Sequence, residues 1–479
     1  MEETDHHDTR TTLTASSSSS PVVFALGSNG SGQLGIGHND DSSHAQKCLF
    51  HIVDGGDDKD SNPNSKLKSG GGGGGVKKIV AGGNHTLLLT KDGRVFLAGN
   101  DRGGKSPKKE EEKEKDETSS ESIFREYRID DSLDLGSSST TTTTSTTTHR
   151  TPSKETKIIS DVAATWEASF FVVNRQIVYV RGTGSKGELG LGQEVCQVER
   201  PTKVFDVDDD LNDDGDDVDN TTIGAAAAAA ATAAVVVAAG PVDTTTTTTK
   251  PKPKPHISTI SASMSHVVFV LSDGRCFGWG SCRKGQLGEN HRKDKILWRP
   301  TRIDQDSSLT FKPEGVVVGR DHTAFLSCGK RLLVWGETKD FDVHGQALSH
   351  KLTRQDTVVS GWSSIHVSSS SSSTVVSVGK NRRGQLAPTN LPPVKALAAG
   401  SEHCVAISTT QEIIAWGWGE HGNCGEEVDG KGDVAGRWNV ISSPLLASDK
   451  YRVEAVAAGC ATTFVICCEK KVNNQNMGK

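Results

Sequence analysis

The chain has 479 residues, of which 34% are hydrophobic, and its 54 basic and 60 acidic side chains leave a formal charge of −6. Nine aspartates between residues 206 and 219 exceed this difference, so the rest of the chain is close to neutral. Domains that mainly hold phosphate backbones carry a marked basic excess, so we expect no direct nucleic-acid binding. Residues 1–20 are acidic and polar and lack the apolar segment of a secretory signal, so none is expected.

Short apolar runs separated by glycine-rich turns begin at residue 23 and recur along the chain. The first segment, 23–35, contains only the back half of the repeated unit, and the last, 453–466, contains only the front half. Fuller copies lie between them, at 80–100, 158–192, 264–288, 317–336, 375–386 and 394–425. A period of roughly 40–50 residues is typical of β-propeller blades rather than of helical solenoids.

The copy at 394–425 has the clearest elements. Three strand-like apolar runs, 394–398, 404–408 and 412–416, are interrupted by Gly400 and by the turn 409–411. The other copies show the same order with weaker matches. We therefore predict an all-β chain in which each unit is one antiparallel blade.

The two half-units predict how the ring closes. If the terminal strands pair in one sheet, the halves form a complete blade and no open sheet edge remains. Together with the six fuller copies, this composite blade predicts a seven-bladed β-propeller.

The recurring frame G-x-x-H, D-G-x-V-x-x-W-G and G-Q-L-G resembles the repeat of the regulator of chromosome condensation superfamily. Examples are His266, Trp279-Gly280 and Gly285-Gln286-Leu287-Gly288. Within that superfamily, the stretches 164–170 and 416–425 resemble the α-tubulin suppressor, or killer-toxin-insensitivity, propeller of fungi.

Three insertions interrupt the repeats, at about 38–76, 101–157 and 206–255. They contain tracts of Ser, Thr, Gly, Asp, Lys and Ala, which bury too little apolar surface to fold, so we expect disordered loops. We expect a disordered tail at 1–20, the propeller at 21–467 and a C-terminal tail at 468–479.

No motif in the repeats indicates catalysis, a cofactor or a metal site. His85, His266, His322 and His403 occupy one phase of the repeat, so they lie in separate blades and cannot converge on one ion. We expect each to tie a turn within its own blade by ring-to-backbone hydrogen bonds. The buried-looking cysteines Cys276, Cys404, Cys467 and Cys468 read as free thiols of a reducing compartment.

Function is expected where the repeat pattern breaks. Trp418 stands where other copies have Ser28, Thr183, Ser281 or Lys380, and a loop-borne Trp is a good interface anchor. Glu420, His421 and Asn423 belong to the same loop. The remaining candidates for partner binding are Trp166 and Glu167, which replace a Gly-Asn pair, and the loop pair Arg382 and Arg383. The alternatives are that Trp418 packs between blades, that Trp166 only fills space, and that the arginines are merely solvated.

We interpret the chain as a non-enzymatic, monomeric, protein-binding propeller without a cofactor. The α-tubulin-suppressor resemblance implies a cytoplasmic and nuclear protein that pairs with a small metal-binding protein of the diphthamide pathway and supports Elongator-dependent modification of tRNA wobble uridine. The wider superfamily suggests two alternatives: a guanine-nucleotide exchange factor for a Ran-type small GTPase, or a chromatin-binding propeller.

Overall fold

A computed structural model describes residues 21–52, 75–100, 122–129, 157–211, 253–327, 331–337, 339–342, 352–353, 355–442, 446 and 450–470. These residues form seven sheets arranged as the blades of a propeller, as predicted, and their strands pair antiparallel except for one short parallel pairing of Phe50–His51 with Phe124–Tyr127. The first strand of each blade contacts the first strand of the next blade, and the circuit closes through the strand Tyr451–Ala458, which contacts both Val394–Ala399 and Val76–Ala81.

We number the blades from the one that contains both chain ends. Blade 1 consists of β1 (Pro21–Gly27), β2 (Ser42–Lys47), β26 (Tyr451–Ala458) and β27 (Thr462–Glu469). Blade 2 consists of β3 (Phe50–His51), β4 (Val76–Ala81), β5 (His85–Thr90), β6 (Val95–Gly99) and β7 (Phe124–Tyr127). Blade 3 consists of β8 (Ile159–Ala164), β9 (Ala168–Val173), β10 (Ile177–Thr183) and β11 (Gln197–Asp206).

Blade 4 consists of β12 (Ile257–Ala262), β13 (His266–Leu271), β14 (Cys276–Ser281) and β15 (Ile296–Arg302). Within the described residues, blades 5 and 6 have three strands each. Blade 5 consists of β16 (Gly315–Val318), β17 (His322–Ser327) and β18 (Arg331–Gly336). Blade 6 consists of β19 (Thr357–Ser360), β20 (Ser364–Ser368) and β21 (Val375–Gly379). Blade 7 consists of β22 (Val394–Ala399), β23 (His403–Ser408), β24 (Ile413–Trp418) and β25 (Asp433–Val440).

Helices are short in the described part of the chain. Single α-turns lie at Val207–Asp210 and Lys339–Asp342, and a 3₁₀ segment lies at Glu289–Asp294. None of them is long and apolar enough to cross a bilayer.

The predicted closure is confirmed. Strands β1 and β27 pair antiparallel over their whole overlap, with Phe24 opposite Val465 and Ala25 opposite Phe464. The sheet order β2-β1-β27-β26 joins the N-terminal and C-terminal half-units into one blade.

The second strand of a blade is its most deeply buried element. Every residue of β5, β9, β13 and β23 is buried, because each strand is covered by neighbouring blades on both faces. This environment explains continuous apolar runs such as Phe170–Val173 instead of an alternating pattern. The large side chains Phe24, Phe269, Trp279, Trp416 and Phe464 are also fully buried between blades.

Parts of the expected loops are strands. Strands β2 and β3 lie inside 38–76, and β7 lies inside 101–157, so the expectation of disorder is wrong for these residues. Such outer strands cover only one side of a blade, and β2 buries every third residue, which leaves too weak an apolar pattern to recognise. Strand β27 also runs two residues past the expected boundary at 467. The expectation is also wrong at the start of the third insertion, where residue 206 ends β11 and Val207–Asp210 form an α-turn. Residues 53–74, 101–121, 130–156 and 212–252, including the alanine tract at 225–239, and the tails outside 21–470 lie outside the described residues.

Three of the four repeated histidines, His266, His322 and His403, bind across blades, which corrects the expected bonding within a blade. Nε2 of His266 lies 3.1 Å from Oγ1 of Thr323, and Nε2 of His322 lies 2.8 Å from Oγ of Ser360, each in the next blade. His403 likewise lies 3.0 Å from Thr463, whose hydroxyl already donates to the Asn423 carbonyl. His403 therefore donates through Nε2, and it locks blade 7 to blade 1.

Removing β1 tests the closure. We expect a chain that lacks residues 1–27 to lose cooperative thermal unfolding and to aggregate, because β27 then presents an open edge. A matched deletion of residues 1–19 should keep the melting temperature within about 2 °C of the full chain. Addition of a synthetic peptide covering residues 20–29 should restore part of the transition. An unchanged melting curve for the longer deletion would contradict the closure.

The buried histidines predict acid sensitivity. Burial lowers the pKa of His266 to about 3 and those of His322, His366 and His403 to about 4, below their values in the unfolded chain. Their contribution to stability is complete above about pH 6.5 and falls as the pH drops toward 4, because the unfolded chain takes up the protons first.

Replacing one of these histidines should therefore flatten the pH profile. As the pH is lowered across this window, we expect the free energy of unfolding of His403→Gln to fall more gently than that of the parent chain, by up to about 1.4 kcal/mol per pH unit. The measurement is urea unfolding between pH 7 and 4. The exposed His44→Gln control should keep the parent slope, and equal slopes for both variants would rule out this origin of the acid sensitivity.

Candidate functional site

All the predicted partner-binding residues lie at one end of the ring. This end, which we call the turn face, carries the seven turns between the first and second strands and the loops that follow the third strands. Trp166 and Glu167 lie in the turn of blade 3, whereas Arg382, Arg383, Trp418, Glu420, His421 and Asn423 lie in the loops after β21 and β24 or at their start.

The seven turns share one hydrogen-bond pattern. The N–H of the first turn residue donates to the carbonyl of the fourth, as in Gly82 to His85, Thr165 to Ala168 and Gly400 to His403. The third strand of each blade ends near a glycine, and the backbone N–H of the residue after that glycine donates to the carbonyl of the third turn residue. In blade 7, the Trp418 N–H donates to the Glu402 carbonyl in this way. The second turn residue takes no part in that internal pattern, so its side chain is free to differ from blade to blade.

The second turn residues surround the ring axis. They are Gly83, Trp166, Met264, Arg320, Trp362, Ser401 and Cys460 in blade order from blade 2 to blade 1. Backbone hydrogen bonds link neighbouring turns, from Gly83 to Trp166 at 2.8 Å, from Arg320 to Trp362 at 2.9 Å and from Trp362 to Ser401 at 2.7 Å. The turns therefore hold these side chains at set positions around the axis.

Trp166 and Trp362 meet across the axis. They come from blades 3 and 6, and their ring centroids are 5.8 Å apart with a 44° tilt. Both are half-buried. The Trp166 ring lies over Gly83, where a Cβ atom would approach it to 2.6 Å, so this glycine makes room for the ring. We call the two side chains the tryptophan plug.

Trp362 is a residue that the sequence reasoning missed. Its copy of the repeat is weak, but Gly361-Trp362 has the same spacing before β20 that Thr165-Trp166 has before β9. Aligning the turns on the first strand instead of on the histidine would have found it, since Ser364 replaces the histidine there.

A polar group borders the plug between blades 6 and 7. The half-buried Glu402 accepts hydrogen bonds from Ser363 Oγ at 2.7 Å and from Gln385 Nε2. Burial raises the pKa of Glu402, while the Ser363 hydrogen bond and the charge of Arg320 oppose that rise. Arg320 is exposed and pairs with the adjacent Asp321 at 3.0 Å.

Trp418 forms a second aromatic site farther from the axis. Gly417 precedes it at φ +101°, where a Cβ atom would lie 2.5 Å from the Glu402 carbonyl, so only glycine lets the chain turn outward here. The Trp418 indole N–H donates to Glu420 Oε2 at 3.0 Å, and the Arg383 guanidinium lies 5.9 Å from its ring centre. Trp418 is half-buried, so it keeps an accessible face.

His421 connects this loop to blade 1. Its ring is T-shaped to Trp418 at 5.3 Å, and its Nδ1 lies 2.8 Å from Oδ2 of Asp41. Asp41 also accepts from the backbone N–H of Asn29 at 2.7 Å. Trp418, Glu420, His421 and Arg383 therefore form one contiguous surface, which we call the Trp418 cluster.

Asn423 and Arg382 differ from this cluster. Asn423 is fully buried and donates to the Trp418 carbonyl at 2.7 Å, so it supports the loop and offers no surface to a partner. Its candidacy as a contact residue is therefore wrong. Arg382 is exposed at the tip of the blade 6 loop.

The opposite end of the ring is open. A cavity of about 1040 Å³ is lined by the starts of the first strands and includes Lys77, Lys395 and Asp356. It narrows at Lys78 into a space of about 160 Å³ that ends at the tryptophan plug. Within the described residues, no group of His, Cys, Asp and Glu is arranged to hold a metal ion.

The cysteines in the strands are unsuited to nucleophilic chemistry. Cys276, Cys404, Cys467 and Cys468 are free and buried, which matches the sequence interpretation. Burial raises the pKa of the Cys276 and Cys404 thiols above the ordinary value, so they remain protonated.

Comparison with known proteins agrees with the repeat pattern. The family models of the Regulator of chromosome condensation (RCC1) repeat match residues 76–104, 273–326 and 394–423. Curated relatives include the Ultraviolet-B receptor UVR8 of Arabidopsis thaliana, 29% identical over 36% of this chain and 44% of its own length. The mouse Secretion-regulating guanine nucleotide exchange factor is 23% identical over 43% of this chain and 53% of its own length. The Guanine nucleotide exchange factor SRM1 of Saccharomyces cerevisiae is 24% identical over 40% of this chain and 33% of its own length. The matched region thus spans about half or less of each relative.

Solved structures share the architecture over almost the whole chain. Prp20p of Saccharomyces cerevisiae superposes with a TM-score of 0.58, 17% identity and coverage of 95% of this chain and 93% of Prp20p. Human WBSCR16 gives a TM-score of 0.57, 14% identity and coverage of 94% and 100%. At these identities the likeness concerns the fold. The finer resemblance to the fungal α-tubulin suppressor remains a prediction. The repeats and the seven closed blades together identify the chain as a regulator of chromosome condensation-type β-propeller.

Proposed function

We propose that this protein is a non-enzymatic binding propeller that grips a protein partner with its turn face. The observation that carries the proposal is the tryptophan plug at the centre of that face, with the Trp418 cluster beside it. Trp and Arg dominate the energetics of protein interfaces, because they bury a large area in few rotatable bonds.

The surroundings of these aromatics also favour a protein partner. Arg320, Glu402 and Ser363 border the plug, and Glu420, His421 and Arg383 border Trp418. An apolar centre with a polar rim is the anatomy of a protein–protein interface. The two tryptophans contact each other, which leaves no slot between them for a flat small-molecule ligand.

A small GTPase is one partner class to test. Two of the relatives are named guanine nucleotide exchange factors, and the Prp20p structure is described with its binding properties to Gsp1p and histones. These facts support partner binding by the same type of propeller. Exchange activity in this chain is a second candidate function, and binding to chromatin is a weaker one.

The other partner class comes from the sequence motifs. The stretches 164–170 and 416–425 support a pairing with a small metal-binding protein of the diphthamide pathway, and through it a role in Elongator-dependent tRNA modification. Trp166 and Trp418 belong to these two stretches and both lie on the turn face. On this proposal the protein acts as a monomer in the cytoplasm and nucleus.

Removing the plug should abolish binding without unfolding the ring. We expect Trp166→Ala with Trp362→Ala to weaken capture of co-purifying proteins by about 30-fold or more, as the loss of two interface anchors costs over 2 kcal/mol. Affinity purification of the tagged full chain with quantitative mass spectrometry measures this change.

The control replaces a half-buried tryptophan away from the turn face. Trp438 lies in the outer strand of blade 7, next to Asn439, which pairs with Ala415 in the middle of β24, so Trp438→Ala should retain the partners. Circular dichroism checks that all variants keep the strand signal. Equal recovery of the same partners with the plug variant and with the control would refute the assignment of the face.

The two partner classes predict different results for Trp418. If the diphthamide-pathway protein is the partner, Trp418→Ala with Glu420→Ala should lose it in pull-down, while nucleotide release from a Ran-type GTPase stays at its spontaneous rate. If exchange is the function, catalytic amounts of the propeller should accelerate release of a fluorescent guanine nucleotide. Acceleration by the parent chain would reverse the order of the two candidates.

A further inference from the structure

The loops of the turn face divide it into regions of opposite charge. Residues 282–295 of blade 4 contain five Lys or Arg and two acidic residues, and residues 380–393 of blade 6 contain three basic residues and none that is acidic. We call these two loops the basic sector. Residues 419–432 of blade 7 instead contain four acidic residues and one lysine, and residues 28–41 of blade 1 contain two aspartates and no Lys or Arg.

Buried glutamine side chains fix the backbone of the two basic loops next to their cationic residues. The Gln286 side-chain oxygen accepts from the Lys284 N–H at 2.8 Å, and the Gln385 oxygen accepts from the Arg383 N–H at 2.9 Å. Gln286 and Gln385 are buried. The same bond joins Gln33 to the Ser31 N–H at 2.9 Å in blade 1, so the scaffold is shared and the basic side chains are added to it.

Ion pairs anchor the inner cations and leave the outer ones exposed. Lys284 pairs with Glu337 at 3.1 Å, Lys380 with Asp340 at 3.7 Å and Arg383 with Asp433 at 3.4 Å. Asp433 is itself buried. Arg283 and Arg382, next in sequence to these paired residues, are exposed, and no ion pair is formed by either within the described part of the chain.

We propose that the basic sector binds an acidic segment or surface of the protein partner, with Arg283 and Arg382 as its contacts on either side of blade 5. This inference rests on the proposed function and adds the chemistry of the partner. Arg320 of blade 5 lies between the two loops in ring order and adds a third exposed guanidinium. Guanidinium groups on set loops suit bidentate pairing with carboxylates.

A protein fits this face better than a nucleic acid does. The acidic loops of blades 7 and 1 adjoin one another in the ring, and they would repel a phosphate backbone that crossed the face. The tryptophan plug lies between the two charged regions and needs an apolar partner surface. A protein that offers acidic and apolar side chains side by side satisfies both conditions.

The test is a charge reversal with a matched control. The full-length chain is titrated against a fluorescein-labelled 20-residue polyglutamate peptide, followed by fluorescence anisotropy at low and at near-physiological salt. We expect Arg283→Glu with Arg382→Glu to weaken binding at least tenfold. Lys312→Glu with Lys395→Glu makes the same charge change at the opposite end of the ring, where both lysines are exposed, and should change binding less than twofold.

Several results would overturn the inference. These are no binding of polyglutamate by the parent chain, an equal loss in both double variants, and tighter binding of a 20-base-pair DNA duplex with the same sensitivity to Arg283→Glu and Arg382→Glu. A self-associated parent chain that becomes monomeric on this reversal, measured by sedimentation, would mean that the acidic partner is a second copy.

The inference can fail while the proposed function stands. If the arginine reversal retains the co-purified partners and Trp166→Ala with Trp362→Ala loses them, the turn face binds its partner without the basic sector. If both variants retain the partners, the turn face itself is not the binding surface.

Discussion

The burial of the second strands depends on the ring being closed. Each of these strands is apolar on both faces and becomes fully buried only with a blade on either side. An open ring would expose two such surfaces and the unpaired edges of both β1 and β27. The ladder between β1 and β27 prevents this, so a few backbone hydrogen bonds between the chain's two ends protect hydrophobic surface in every blade.

Closure also determines what the turns can do. In a closed ring the seven turns converge on one axis, and their internal hydrogen bonds use the backbone of the first, third and fourth residues. The second residue is not needed for the turn and is free to vary. In blades 3 and 6 it is tryptophan, and the three-blade separation places both rings where they meet. Repetition thus supplies the scaffold, and departures from repetition supply the surface.

The same division between a repeated scaffold and a variable surface explains why the buried histidines and the loop glutamines recur. Their polar atoms are buried and hydrogen-bond to the neighbouring blade or to their own loop. They recur because each blade meets its neighbour in the same geometry. The charged residues next to them point outward and differ between blades, so the turn face acquires a basic region and an acidic region without a change in the fold.

The sequence by itself determined the number of blades, the pairing of the terminal half-units and the placement of most candidate residues in loops. These follow from apolar runs and glycine turns, which are local and repeated. The tertiary structure alone decided that Trp166 contacts Trp362, that Asn423 is buried, that three of the repeated histidines bind the next blade and that β2, β3 and β7 are strands. The first three are contacts between residues far apart in sequence, and the outer strands bury too few side chains to leave a readable pattern.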